Sequence, residues 1–148
     1  MKKNGLLGLL LAMMVLVTGC ASVPMASDDA DTQSKRFQAK PDKSIIYLYR
    51  NETFGGAIAM TVSLDDRLAG ESAPKTYFMW EVEPGQHVLK SHAENVSILL
   101  LTTEAGKNYY VWQEVKLGAL YARSRLQQVD EATGRQGVLE CKRAQSAF

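Results

Sequence analysis

From Ser44 onward apolar side chains recur at every second position, a period that strands with one face on a core satisfy and a helix does not. Ile58, Met60, Val62 and Leu64 alternate with Ala59, Thr61 and Ser63. Phe78, Trp80 and Val82 share one face, and Tyr109, Val111 and Val115 oppose Tyr110 and Trp112. The first such run, Ile45 to Arg50, is β-branched and aromatic, as strands favour. Asp65-Asp66 is a turn signal, with a short returning strand from Arg67. Glu83-Pro84-Gly85-Gln86 fits a type II hairpin turn, Pro setting φ and Gly supplying a positive φ. Residues 96–103 are apolar on both faces, which predicts a central strand buried on both sides. Further strands are expected over residues 108–115 and 121–128. Asp130 can cap a short helix reaching about Lys142, with Glu131 and Arg135 one turn apart. Gly134 and Gly137 each weaken that helix by about 1 kcal/mol. The predicted class is all-β: an antiparallel β-sandwich of about 7–8 strands with a short C-terminal helix.

The segment before Ser44 has a different character. Met1-Lys2-Lys3-Asn4 is a short positive start, and residues 5–17 form a 13-residue apolar run, GLLGLLLAMMVLV. A spanning helix needs about 20 apolar residues, so this run has the size of a signal-peptide core instead. Val17-Thr18-Gly19-Cys20 resembles the bacterial lipobox: an aliphatic residue, two small residues, then Cys. The resemblance implies cleavage between Gly19 and Cys20 and a diacylglycerol on the Cys20 sulfur. A thiolate is the natural nucleophile for that alkylation. One acyl chain anchors only marginally, whereas two or three hold firmly. In the Gram-negative sorting scheme that the motif resembles, Ala21 after the Cys favours export to the outer membrane, with the domain facing the periplasm.

Residues 21–43 read ASVPMASDDADTQSKRFQAKPDK, with almost no large apolar side chain. Such a segment buries too little to offset its ordering entropy, and it is expected to be a flexible tether with a reach of roughly 25 Å. The organisation is then a signal peptide over 1–19, a lipidated Cys20 and tether over 20–43, and a β-sandwich domain over 44–148.

Charge narrows the partners. Removing residues 1–19 takes away Lys2 and Lys3, leaving 15 basic against 16 acidic side chains, a net charge of −1. No basic excess remains for a phosphate backbone, so nucleic acid is not an expected partner. No polybasic block adjoins the anchor, so acyl chains rather than anionic lipid would hold the protein to its membrane.

The residues that carry chemistry are few. With Cys20 alkylated, Cys141 is the one remaining thiol, and it is expected to be a small buried hydrophobe. The sharper alternative is an intermolecular disulfide or a redox-active thiol. His87 and His92 lie five apart on one expected strand and so point to opposite faces. No metal site and no cofactor are expected. His87 is read as a hydrogen-bonding packing residue. Asp65-Asp66 is a turn before it is an acid–base pair, and no serine sits in a nucleophile-elbow context. Most of the aromatics should be sandwich core, and Tyr47, Tyr49, Trp80, Tyr110 and Trp112 are the candidates for a binding surface, because alternation cannot turn all of them to one core.

Ile46-Tyr47-Leu48-Tyr49-Arg50, the break at Gly55-Gly56, Pro84-Gly85-Gln86-His87 and Gly106-Lys107-Asn108-Tyr109-Tyr110 occur in that order behind a lipobox. Together they resemble the small bacterial lipoprotein family catalogued as domain of unknown function twenty-eight forty-six. The resemblance spans residues 43–142 and implies an envelope β-domain, with no established activity or binding residue.

The expected function is therefore a lipid-anchored, non-enzymatic envelope lipoprotein. Its β-domain would bind or scaffold a protein partner, or a copy of itself, through a sheet face or edge. The alternative is a glycan or peptidoglycan module using the aromatics as stacking platforms. A hydrolase assembled only in three dimensions ranks last.

Overall fold

Every residue of the first strand, β1 (Ser44–Arg50), is buried, because both of its faces and both of its edges are covered. The computed structural model containing it describes residues 21–148, so the leader, its cleavage point at Gly19 and the Cys20 thiol lie outside the described residues. After β1 come β2 (Met60–Leu64), β3 (Arg67–Ser72), β4 (Thr76–Val82), β5 (Gly85–His92) and β6 (Val96–Thr103). Then follow β7 (Asn108–Leu117), β8 (Ala122–Val129) and β9 (Lys142–Arg143). Helix α1 (Asp28–Ser34) precedes β1, and helix α2 (Glu131–Leu139) precedes β9. The nine described strands form a five-stranded sheet, β8-β7-β1-β4-β9, facing a four-stranded sheet, β3-β2-β5-β6.

This is the expected sandwich with its short C-terminal helix. Two pairings, β1 with β7 and β4 with β9, are parallel, so the larger sheet is mixed rather than wholly antiparallel. Between the sheets lie Ile46, Leu48, Val62, Phe78, Trp80, Leu89, Leu101 and Val111. Phe78 and Trp80 stack there at 5.3 Å. The outer face of the five-stranded sheet carries a second core of Phe37, Tyr47, Tyr49, Tyr77, Tyr110, Val138 and Cys141. The molecule thus has a third layer, built from the two helices. The Asp65-Asp66 turn is tight, with φ of 51° and 61°, the signs of a two-residue type I′ hairpin turn.

Three expectations are corrected. The strand taken as central, β6, is an edge strand of the smaller sheet; β1 occupies the doubly covered position instead. Both strands are apolar on both faces, and periodicity alone does not say which of them is covered. Second, Glu83-Pro84-Gly85-Gln86 is not a hairpin. It carries the chain from one sheet to the other, since β4 pairs with β1 while β5 pairs with β2 and β6. Gly85 sits at φ 147°, a value glycine tolerates and one far from the type II turn.

Third, residues 21–43 are not a free tether. Ser27 caps α1, its side chain accepting from the Ala30 N–H at 3.2 Å. Three aspartates in the first turn suit the helix dipole. Asp31, 5 % exposed, accepts from Tyr77 Oη and from the Arg143 N–H, both at 2.9 Å, and from Lys35 Nζ at 3.0 Å. Tyr47 Oη donates to the Ser34 carbonyl at 2.9 Å, and Phe37 packs against the Tyr47 and Tyr110 rings. Upstream, Met25 bridges Ala144, and the Ala21 N–H donates to the Gly56 carbonyl at 2.8 Å. Polar contacts from α1 and the buried Phe37 ring, rather than an apolar stripe, order this segment.

Candidate functional site

Four of the five aromatics expected as a binding platform are sealed in the two cores. Tyr47 is 1 %, Tyr49 2 %, Tyr110 1 % and Trp80 3 % exposed. The tyrosines lie beneath α2 and Phe37, while Trp80 faces the other sheet and donates from Nε1 to Ser146 Oγ at 3.0 Å. Two glycines on α2 allow this depth of burial. A Cβ at Gly134 would fall 2.2 Å from the Tyr110 Cβ, so the helix backbone rests directly on the ring-bearing strand. Trp112 alone is half-buried. It lines a hollow of about 290 Å³ with Tyr49, Asn51, Gln136 and Glu140, and its Nε1 has no hydrogen-bond acceptor.

The polar candidates are engaged structurally. His87 has Asp65 Oδ2 at 2.6 Å from Nδ1 and the Glu83 carbonyl at 2.8 Å from Nε2. Both ring nitrogens are therefore turned to oxygens of the protein itself rather than to an open site. His92 points to the opposite face and is exposed. Both histidines thus lie as the strand period predicts. A hollow of about 710 Å³ opens beside His87, between Trp80, Glu83, Arg67, Arg143 and Phe148. Among the described residues no cluster of three or more His, Cys, Asp or Glu side chains could hold a metal ion. Cys141 is 2 % exposed, and burial pushes its thiol up to about 12. Its Sγ lies 3.5 Å from the Arg50 carbonyl.

Arg50 is also fully buried, and burial draws its guanidinium down from the usual arginine range. Nη1 donates to the Ile58 carbonyl at 2.7 Å and Nη2 to the Gly55 carbonyl at 2.9 Å. This side chain pins the loop between β1 and β2, a role that no sequence spacing announces. Between the sheets, Gln113 bonds Ser72 Oγ and Ser91 Oγ, each at 2.6 Å, a satisfied polar network inside the apolar core.

What stays open is the outer face of β6. Val96, Ile98 and Leu100 are 53 %, 58 % and 63 % exposed, in a row along one strand. Their cross-strand neighbours are His92, Lys90 and Val88. Both helices lie on the other sheet, and no described element covers this one. The edge of β6 is less open than its face. Asn95 and Ser97 bridge to β8, where Ser97 Oγ accepts from the Leu126 N–H and Asn95 Oδ1 from the Ser124 N–H, both at 2.9 Å. The apolar run along residues 96–103 predicts core on both faces, whereas the structure leaves this face open.

Comparison with known proteins gives family membership and no activity. Over 140 residues the chain is 34% identical to an uncharacterized protein of Haemophilus influenzae, covering 93% of this chain and 83% of that one. No solved structure matches. The family model described as "Protein of unknown function (DUF2846)" matches residues 40–124, from the turn before β1 to the start of β8. With β1 to β7 of the sandwich inside that match, the chain belongs to the DUF2846 family.

Proposed function

We propose that this protein is a lipid-anchored, non-enzymatic binding or scaffolding protein of the cell envelope. Acyl chains on Cys20 would hold it to the periplasmic side of the outer membrane, and the β6 face would dock an apolar strip of a protein partner. The observation that carries the docking half is the row of Val96, Ile98 and Leu100 on a sheet face that no helix covers. Exposed apolar rows of this kind are costly in an isolated domain and mark interaction surfaces. The anchoring half rests on the lipobox-like Val17-Thr18-Gly19-Cys20 behind a 13-residue apolar core. The reading as a non-enzyme draws support from the doubly engaged His87 ring and the sealed Cys141 thiol. The glycan alternative retains only Trp112, since the other four aromatics are inaccessible.

Photocrosslinking in cells tests the docking face. A photoreactive residue at Ile98 should give an adduct that Leu100→Asp abolishes, whereas one at exposed Gln128 on β8 should give none. An adduct twice the mass of the chain would identify a second copy as the occupant. If the Ile98 probe leaves only the monomer, the face is not a docking surface.

A further inference from the structure

Ala21, the first described residue, lies at one end of the sandwich, and that end is edged with exposed apolar side chains. Because β1 and β7 run parallel, with Tyr49 opposite Trp112, the loop after β1 and the tip after β7 lie at the same end. The first carries Phe54, 51 % exposed. The second carries Leu117, Leu120 and Tyr121, which are 78 %, 87 % and 49 % exposed. The two loops touch through their bases: a Cβ at Gly55 would lie 3.0 Å from Val115 Cγ1 and 3.6 Å from Ala122 Cβ. Ala21, next to Cys20 in the chain, is bonded to the carbonyl of the adjacent Gly56.

The tip after β7 is held rigidly. Glu94 reaches over from the β5–β6 turn and accepts from the N–H groups of Ala119 and Leu120 at 2.9 Å and of Tyr121 at 3.1 Å. Those bonds hold its carboxyl below the usual range. A loop whose donors are all satisfied is fixed with its leucines outward, which is unusual for an apolar tip facing water. Directly behind the leucines, Lys116 and Arg123 face each other across the hairpin. Of the neighbouring carboxylates, Glu114 is paired with Lys116, Glu94 is committed to the tip, and the half-buried Glu52 accepts from the Val115 N–H.

We propose that this end, with Phe54, Leu117, Leu120 and Tyr121, is the face that the domain turns to a phospholipid bilayer. The proposal rests on the reading of Cys20 as the lipid-bearing residue. The choice of a bilayer rather than a protein follows from the chain path. Cys20 is joined to Ala21 by one peptide bond, about 3.8 Å between Cα atoms. Its acyl chains would therefore enter the membrane beside these loops, not at the end of a long leash. Apolar tips with an aromatic and flanking cations are the composition that rests at a headgroup boundary. The protein would stand on the membrane in one orientation, leaving the β6 row on the side of the sandwich free.

The test uses the full lipidated protein in vesicles of phosphatidylethanolamine with phosphatidylglycerol. An environment-sensitive fluorophore is placed at Leu120→Cys or, at the far end of the sandwich, at Ala105→Cys; the buried Cys141 stays unlabelled. Lipids with a doxyl group near the headgroup should quench the Leu120 label by roughly twofold or more, the depth reached by interfacial apolar groups, and leave the Ala105 label unchanged. Equal quenching at both sites on protein that carries palmitate and floats with the vesicles overturns the orientation and leaves the anchor standing. Protein that takes up no palmitate overturns the anchor, and this proposal with it.

Discussion

The carbon that a side chain would add at Gly137 falls 2.1 Å from Tyr49 Cε2. Glycine there is a packing requirement rather than a weak point of α2. Gly137→Ala would gain about 1 kcal/mol of helix propensity. It would also force the helix off a tyrosine ring that is 2 % exposed and held in the doubly covered strand β1. Overpacking of that kind costs about 1–3 kcal/mol, and a backbone against a fixed ring lies at the upper end. The expected result is a net loss of about 2 kcal/mol in urea unfolding and a Tm lower by several degrees. A Tm raised by the substitution would show that α2 does not need its close approach.

Asp31 makes the N-terminal segment sensitive to acid. Burial pushes its carboxyl up, but hydrogen bonds from Lys35, Tyr77 and the Arg143 N–H outweigh burial and hold it below the usual range. A group lowered in the folded state adds stability above its unfolded value, and that stability is lost as pH falls through the folded value. The contact of α1 with the sandwich should therefore weaken below about pH 4. Asp31→Asn should cost about 2 kcal/mol at pH 7, as expected for charged hydrogen bonds, and should flatten the dependence below pH 4. Hydrogen exchange of the α1 amides across pH 2–6 measures it. Protection that is unchanged in the variant would remove Asp31 from this role.

Cys141 should be inert in the native protein. With its thiol buried and raised to about 12, the thiolate population near neutral pH is negligible. A thiol-specific chromogenic reagent should react only after denaturation, and the protein should run as a monomer on a non-reducing gel. Prompt labelling of the folded chain, or a dimer band lost in Cys141→Ser, would restore the redox reading.

Most of the strands were legible because their alternation records which face is buried. The capped helix was legible too: Asp130 accepts from the Thr133 N–H at 2.9 Å, and Glu131 pairs with Arg135. The assignment of strands to sheets was not, because Pro84-Gly85 punctuates a hairpin and a sheet-to-sheet crossing alike. Nor could β1 be told from β6. Both are apolar on both faces, and only the helices decide which one is covered. Helix α1 escaped for a different reason. Its seven residues, DDADTQS, hold no apolar stripe, and it is fixed by Asp31, Ser34 and the downstream Lys35, whose bonding partners are up to 112 residues away. Of the site, the aromatics pointed inward and the row on β6 was mistaken for core. The same residues in the other covering would have reversed both readings.

The intact mass of the protein purified from its own membranes tests the central claim most directly. A chain that begins at Cys20, carries the mass of a diacylglycerol and an amide-linked acyl group, and loses them in Cys20→Ala is the predicted result. A mature chain with an unmodified Cys20, or one that keeps the residues before it, would contradict the account.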